Sequence, residues 1–498
     1  MNRFLDRVKV SAALLFVCSL SFIGCSVGPR YAKPTAPAPP EYKELPQNWK
    51  AAQPSDQVAK GKWWEVFHDG QLNALEERIN VSNQSLKSAQ AQFEQARAAV
   101  RINRSFQYPT VTGGVNVTEY RLSTNRPNGR LASSSTYTDL QLPVDASYEL
   151  DVWGRVRKTV EAARANAQAS AADLENVSLS LHAELASDYF QLRALDTEED
   201  LLNSTVAAYQ KALELTQNRY SGGVASQVDV AQAQTQLETT RAQAIDLGVQ
   251  RAQFEHAIAV LIGQPASSFA LPPLTMTLAP PVIPVGMPSE LLERRPDIAG
   301  NERRMAAANA QIGIARAAYF PTITLNGSGG FEGSSITTWF NGPSGFITAG
   351  ASAVETLFDA GRRHAISDQA KAVFNQSAAN YQQSVLGAFQ EVEDSLAALR
   401  LLEGEAKTQD AAVASSQQSL SLSNNRYKGG VATYLEVITA QSIALTDQRV
   451  AVEIAGRRMT AAVSLIKALG GGWNASDLPM VQKESRPPAN RSPANSGQ

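Results

Sequence analysis

Alternation between hydrophobic and polar residues marks four stretches of the chain as β-strands. The clearest is 138–150, where even-numbered residues are mostly apolar and odd-numbered ones mostly polar. Similar alternation follows Tyr108 and Phe320, and alanines blur it in the last stretch. Period-two alternation puts one strand face in an apolar environment, and 138–150 is long enough for a membrane-crossing strand. We therefore predict two β-hairpins, at about 108–150 and 320–357.

Two other segments lack the residues that interrupt helices. No glycine or proline occurs in 155–220, and no proline occurs in 362–428. This composition predicts two uninterrupted helices, each roughly 100 Å long at 1.5 Å per residue. Shorter helices are predicted for 224–262 and 298–319. Because their summed length nearly matches one long helix, we expect them to stack beside it.

The chain contains an internal repeat. NRYSGGVASQVDVAQAQ from Asn218 and NRYKGGVATYLEVITAQ from Asn425 are nearly the same, and LDVWGR at Leu150 parallels LFDAGR at Leu357 at the same interval. A repeat this long indicates a duplicated domain rather than a solenoid. Each copy is predicted to contain one β-hairpin and one long helical hairpin.

In each copy the long helix ends at Arg-Tyr followed closely by two glycines. Glycine readily adopts the left-handed conformation that ends a helix, and the serine or threonine that follows can cap the return helix. We therefore predict two tight hairpin tips. The tip residues are Arg219, Tyr220, Gly222, Gly223 and Ser226 in the first copy, and Arg426, Tyr427, Gly429, Gly430 and Thr433 in the second.

Proline-rich and polar stretches divide the chain into six parts. Prolines favour an extended segment near the N-terminus and a linker between the copies, and a polar C-terminal end is typical of disorder. The predicted parts are a signal peptide (1–24), an extended tether (25–61), the first repeat (62–265, helical hairpin 155–262), a proline-rich linker (266–288), the second repeat (289–472, helical hairpin 362–469) and a disordered tail (473–498).

The N-terminus predicts export and a lipid anchor. Basic residues precede an apolar stretch too short to span a bilayer, which indicates a cleaved signal. That stretch ends FIGC, which resembles a bacterial lipobox, so we expect Cys25 to carry diacylglycerol and an N-acyl chain such as palmitate. Ser26 replaces the aspartate of an inner-membrane retention signal, which favours the outer membrane. The alternative is an ordinary signal cleaved nearby, with Cys25 incidental.

Composition and charge argue against several function classes. The chain has 498 residues, of which 43% are hydrophobic and 18% charged, and a formal net charge of −2 gives no electrostatic case for nucleic acid. Its histidines lack ligand-like spacing to one another, so we expect no metal and no other bound cofactor. We find no nucleophile–base motif, phosphate-binding loop or dinucleotide fingerprint, and we expect no enzyme activity.

Four strands are too few to close a barrel. An open sheet edge is not tolerated in lipid, so a membrane sheet of this kind requires several copies of the chain. Two copies give eight strands, whose side chains fill the interior, whereas three give twelve and room for a lumen. A soluble sandwich with one polar face is the alternative.

Several stretches are similar to signatures of the outer-membrane factor family, the TolC-like ducts of tripartite efflux systems, in its lipoprotein branch. They are VGPRYAKP after Cys25, WWEVFHDGQLNAL at Trp63, ELLERRPDIAGNERRMAAANAQIGIARAAYFPTITL at Glu290 and IKALGGGW at Ile466. The resemblance covers nearly the whole mature chain. It implies a mixed α/β membrane protein and a homotrimer, with a twelve-stranded outer-membrane β-barrel that continues into a periplasmic α-helical barrel.

The same resemblance implies a function, partners and a gate. The protein would be a passive exit channel for antibiotics, other drugs or small molecules, joined to a periplasmic membrane-fusion adaptor and a proton-driven inner-membrane transporter. The hairpin tips would dock the adaptor and close the periplasmic aperture. Asp229 and Glu436 occupy the positions of acidic gate residues, and Tyr427 matches a tyrosine that bonds Asp229. Ala432 and Thr439 stand where some members carry further charged residues.

Crowding of these carboxylates in a trimer would make the aperture favour cations and make its closure sensitive to pH. One alternative is that Asp229 and Glu436 are ordinary solvated helix surface. A second is a structural coiled-coil lipoprotein that spans the periplasm without conducting.

Overall fold

The computed structural model describes residues 27–33, 39–44, 61–121, 123, 136–283, 285, 291–474, 476 and 478. The predicted signal peptide, Cys25, and most of the predicted tether and tail therefore lie outside the described residues.

Two short helices lead into the sheet. They are α1 (Gly70–Ser82) and α2 (Gln84–Ser105). The Asp69 carboxylate accepts hydrogen bonds from the first backbone amides of α1, and the Asn83 side chain accepts one from the Leu86 amide at 2.9 Å. Because these side chains satisfy amides that have no partner inside the helix, each defines a helix start.

The sheet confirms the strand predictions and adds a break. Its strands are β1 (Thr110–Gly113), β2 (Asn116–Arg121), β3 (Thr136–Leu150), β4 (Thr322–Gly333) and β5 (Gly345–Val354). All pairings are antiparallel, in the order β1 and β2 on β3, then β4, then β5. The second repeat therefore extends the sheet of the first, so that both hairpins form one surface with two free edges.

The break between β1 and β2 has a cause in β3. Both segments keep one register along β3, with Gly113 opposite Val144 and Asn116 opposite Gln141. Pro143 lies between these pairs and has no N–H to donate, so the ladder lapses there. Only the Gly114 amide bridges the gap, donating to the Pro143 carbonyl at 3.1 Å. The predicted first strand is thus two segments of one strand position.

Long helices make up most of the rest of the fold. They are α3 (Arg155–Ser221), α4 (Gln227–Leu261), the single turn α5 (Leu291–Arg294), α6 (Pro296–Ala317), α7 (Arg362–Lys428) and α8 (Tyr434–Ala468). As predicted, two shorter helices, α6 and α4, pack along one long helix, α3. Pro296 occupies the first turn of α6, where its fixed φ and missing N–H suit a helix start.

The largest hydrophobic core lies where α1, α3, α4, α7 and α8 meet around Trp63 and Trp64. A second core lies beneath the hairpin tips. It consists of Tyr209, Leu213, Ala233, Leu237, Tyr427, Tyr434 and Val437. This second core joins the helical hairpin of one repeat to that of the other, so the two tips are held together.

A strap of residues 27–31 packs on α6. The Val27 amide donates to the Trp153 carbonyl at 3.0 Å, and the Asn309 amide side chain donates to the Pro29 carbonyl at 3.2 Å. Gly28, with φ +137°, lies so close to Gly313 that a Cβ would come 2.7 Å from its Cα. The Tyr31 hydroxyl donates to the Glu302 carboxylate. This part of the predicted tether is extended, but it is packed against the protein.

Candidate functional site: the two helical hairpin tips

The first tip is closed by backbone hydrogen bonds around a left-handed glycine. Gly223 has φ +73°, its amide donates to the Tyr220 carbonyl at 2.9 Å, and the Val224 amide donates to the Arg219 carbonyl at 2.8 Å. A side chain at Gly223 would be strained, because L residues rarely adopt this φ. The chain therefore reverses within a few residues.

Ser226 and Asp229 start the return helix with a capping box. The Asp229 amide donates to the Ser226 hydroxyl at 3.2 Å, and the Ser226 amide donates to the Asp229 carboxylate at 2.9 Å. Both amides would otherwise lack partners at the helix start. The predicted cap at Ser226 is confirmed, and the Asp229 carboxylate forms part of the same cap.

The second tip has the same backbone and a different cap. Gly430 has φ +75°, and its amide donates to the Tyr427 carbonyl at 3.0 Å. Thr433 takes the N-cap backbone conformation, but its side chain makes no capping hydrogen bond, so the predicted threonine cap is wrong. Glu436, at the position equivalent to Asp229, lies 3.3 Å from the Arg426 guanidinium instead.

Arg219 links the two tips directly. The Arg219 guanidinium carbon lies 4.6 Å from the centre of the Tyr427 ring, and its Nη1 donates to the Lys428 carbonyl at 3.4 Å. The Tyr427 ring in turn lies 5.2 Å from the Tyr434 ring. A cation over an aromatic face is attracted by the ring quadrupole, most strongly where water is excluded. Here Tyr427 is only 6% exposed.

The hydrogen bond that the family resemblance implied between Tyr427 and Asp229 is not formed. Within the described part of the chain, the buried Tyr427 hydroxyl has no hydrogen-bond partner. Asp229 accepts from Ser226 instead. The gating role of Asp229, Tyr427 and Glu436 stays a prediction, as does adaptor docking by the tips.

Burial fixes the protonation of the neighbouring tyrosine. It raises the pKa of Tyr434 to about 12, with a smaller contribution from Tyr427. Tyr434 therefore stays neutral at physiological pH, so titration of this ring cannot change the charge at the tips.

Aromatic and apolar side chains gather where the sheet meets the long helices. Trp153 stacks on Phe320 with ring centres 4.6 Å apart, and its indole N–H donates to the Pro321 carbonyl at 2.9 Å. Leu357 and Phe358, in the segment that joins β5 to α7, are 90% and 86% exposed. Membrane barrels carry such a girdle at each lipid–water interface. The junction is thus the candidate boundary between membrane and periplasm.

Sequence reasoning missed two buried polar clusters near the main core. His182 was considered only as a metal ligand, yet its Nδ1 lies 2.6 Å from a Glu76 carboxylate oxygen, beneath the Trp64 ring. Asp196 accepts from Arg193 at 2.5 Å and from Arg251 at 2.7 Å. No local motif marks these partners, because they lie on different helices or depend on burial that the sequence does not display.

The residues that the structure describes contain no group of three His, Cys, Asp or Glu side chains placed to hold a metal ion. Among the helices that the structure describes, none combines the length and apolar character needed to cross a membrane.

The architecture is that of channels whose strands lie in an outer membrane and whose helices extend from it. Residues 75–264 and 287–471 match the family described as "OEP: Outer membrane efflux protein". The chain belongs to this family. It is an outer-membrane efflux channel that extends into the periplasm.

Curated relatives match over nearly their whole length. One is the pyoverdine export outer membrane protein OpmQ of Pseudomonas putida, 32% identical over 93% of this chain and 97% of the relative. Another is the cation efflux system protein CusC of Escherichia coli, 30% identical over 92% and 98%.

Solved structures agree. The outer-membrane channel OprN has a TM-score of 0.83 at 28% identity, covering 90% of this chain and 100% of that one. The open state of the Neisseria gonorrhoeae MtrE channel has a TM-score of 0.77 at 28% identity, covering 91% and 99%.

Proposed function

We propose that three copies of this chain form the exit duct of a tripartite efflux pump. The observation that carries this proposal is the open sheet, which presents β1 and β2 at one edge and β5 at the other. In lipid, unpaired strand edges must find partners. Three copies supply twelve strand positions, enough for a closed wall around a lumen.

The helices support the same arrangement. α6 packs extensively against both α3 and α7, whereas α2, its equivalent in the first repeat, packs extensively against α3 only. Most residues of α6 are buried, whereas only Leu86, Ala89 and Val100 of α2 are. The two repeats share one plan, so the side of α2 that does not contact α3 should pack on a second long helix, as α6 does. We infer that this helix is α7 of a neighbouring copy.

The tips form the periplasmic end of this duct. Asp229, Tyr427 and Glu436 act at the aperture, and the exposed tip backbone docks a periplasmic adaptor, which connects the duct to a proton-driven inner-membrane transporter. Transport through the duct itself is passive. Relatives are named for pyoverdine export, cation efflux and toluene efflux, so cargo choice by the transporter fits a duct of shared architecture.

A lipid on Cys25 fits the position of the strap. Val27, two residues further along the chain, is hydrogen-bonded to Trp153 at the aromatic junction. An acyl chain attached this close to the proposed membrane boundary would enter the inner leaflet of the outer membrane. Mass spectrometry of the mature N-terminus tests this part of the proposal; an unmodified cysteine or a start at another residue would refute it.

Native mass and single-channel conductance of the detergent-purified protein test the duct. We expect a three-chain mass and reproducible pores in a planar bilayer, with higher conductance after combined Asp229→Ala and Glu436→Ala substitution. Glu403→Ala, which removes an exposed carboxylate far from the tips, serves as the control. A folded trimer that stays electrically silent would favour the non-conducting spacer, and a stable monomer would refute the shared duct.

A further inference from the structure

The two tips carry the same Arg-Tyr pair, but one chain uses only half of each pair. In the first tip, Arg219 stacks over an aromatic ring and Tyr220 is 47% exposed. In the second tip, Tyr427 receives that stacking and the Arg426 side chain is 59% exposed. Two groups therefore make no Arg–aromatic contact within the chain: the Arg426 guanidinium on the second tip, which pairs with Glu436, and the Tyr220 ring on the first.

The flanks of the helices show the same imbalance. Between the repeats of one chain, α8 lies so close to α3 that a Cβ on Gly456 would come 2.9 Å from the Ala194 Cβ. The equivalent residues are Val249 on α4 and Leu401 on α7, and these apolar side chains are 58% and 60% exposed. Together with Arg426 and Tyr220, these side chains mark two surfaces, each equivalent to one side of the interface between the repeats. Within the described part of the chain, neither surface is covered by the opposite side of such an interface.

A second copy of this chain carries surfaces that match those missing partners. The surface on α7 and the second tip matches α3 and the first tip, which already contact the other repeat. The surface on α4 and the first tip matches α8 and the second tip. Such a head-to-tail interface joins two different surfaces of the chain. Repeating it by rotation about one axis closes a ring of subunits. The occupant follows from continuity with the contact that exists within the chain.

We propose that Arg426 stacks over Tyr220 of the partner subunit, repeating between chains the contact that Arg219 makes with Tyr427 within one chain. The inference rests on the proposed trimer. The ring of tips at the periplasmic end then contains six equivalent Arg-Tyr contacts, three within chains and three between them. The proposed contact also gives Arg426 two partners, because Glu436 of its own chain lies 3.3 Å away. The Arg426 guanidinium thus contacts both the partner subunit and the Glu436 carboxylate, a candidate gate residue.

Cross-linking between introduced cysteines tests the contact. The double variant Arg426→Cys with Tyr220→Cys is treated with a short bismaleimide in the intact outer-membrane protein and run on a denaturing gel. We expect covalent dimers and trimers. The matched pair Arg219→Cys with Tyr427→Cys, which lies within one chain, should react and remain monomeric. Each single variant controls for any reaction of Cys25.

The outcomes separate this inference from the proposed function. A trimeric, conducting protein in which the 220/426 pair stays monomeric while the 219/427 pair reacts would overturn the inference and leave the duct standing. A protein that is not trimeric would refute the duct itself.

A double-mutant cycle on the probability of the open channel state provides the second measurement. Because each substitution is present in all three chains, Arg426→Ala and Tyr220→Ala should each raise the probability of the open state by at least about fivefold, the effect expected for loss of a single cation–π contact. The double variant should show no further rise, and Arg426→Lys should restore most of the closure. Additive effects of the two alanine variants would contradict a shared contact.

Discussion

The two repeats of this chain follow one plan and differ in what covers them. α6 lies between two long helices and under the strap, whereas α2 has a long helix on one side only. Tyr427 is buried beneath Arg219, whereas Tyr220 is exposed. In the proposed trimer, a position that is exposed in one repeat and covered at the equivalent position of the other repeat marks where a neighbouring copy packs.

The largest expected difference concerns equivalent acidic residues on α3 and α7. Asp196 has no exposed side-chain surface and holds Arg193 and Arg251, whereas Glu403 is 52% exposed and pairs with Lys407. Asp196→Ala removes the carboxylate that neutralises the buried Arg193, so we expect a loss of about 3–5 kcal/mol in the free energy of unfolding. Glu403→Ala should cost less than about 1 kcal/mol. Denaturant unfolding of both variants measures the contrast, and equal losses would contradict it.

The next contrast concerns the strap. A Cβ at Gly313 would lie 3.1 Å from the Lys158 side chain and 3.3 Å from the Val27 carbonyl oxygen, whereas the equivalent Arg101 on α2 is exposed. Gly313→Leu should cost about 1–3 kcal/mol through overpacking and should increase proteolysis of the N-terminal segment. Arg101→Leu should stay within about 0.5 kcal/mol of the wild type. A strap that remains protected in Gly313→Leu would show that its packing tolerates the added volume.

A smaller difference is expected between the caps of the return helices. Ser226→Ala removes a capping hydrogen bond that the structure contains, which should cost about 1 kcal/mol locally. Thr433 makes no such bond, so Thr433→Ala should change little. Hydrogen exchange of the first amides of α4 and α8 compares the two. Equal acceleration in both variants would mean that the tips are capped alike.

The smallest effect is expected at Glu76, whose partner His182 is replaced by Phe389 in the second repeat. Burial raises the pKa of Glu76 well above its usual 4.5 and lowers the pKa of His182 from 6.5 to about 4. Both shifts favour the neutral forms. Because His182 Nε2 lies 3.2 Å from the acceptor Asn80 Oδ1, Nε2 carries the ring proton and Nδ1 accepts from the Glu76 carboxyl. Glu76→Gln keeps a donor at this position, so the unfolding midpoint at pH 8 should equal or exceed that of the wild type. A clear fall would indicate a charged pair instead.

The pH dependence of stability checks the same assignment. Above about pH 4.5 the unfolded chain releases the Glu76 proton and the folded chain keeps it, so this group lowers stability as pH rises. Between about pH 6.5 and 4, His182 is protonated in the unfolded chain and neutral in the folded chain, so stability falls as pH falls. Glu76→Gln should remove the first slope and keep the second, as measured by thermal unfolding across this range.

The sequence predicts the long elements well and the contacts between them poorly. Residues 155–220 contain no glycine or proline to interrupt a helix, and the structure ends α3 one residue later. The break in the first strand depends on Pro143 of a different strand. At the tips, glycine pairs and the Ser226 cap are local signals. The pairing of Arg219 with Tyr427 joins residues of different repeats, so no local pattern reveals it.

The two longest helices have a mechanical consequence. α3 and α7 each run for 67 residues without a proline. A rod of about 100 Å that pivots at its sheet end by about one degree displaces its far end by roughly 1.7 Å. Small rotations near the membrane are thus amplified into ångström-scale travel at the opposite end, and dilation there requires neither helix to bend.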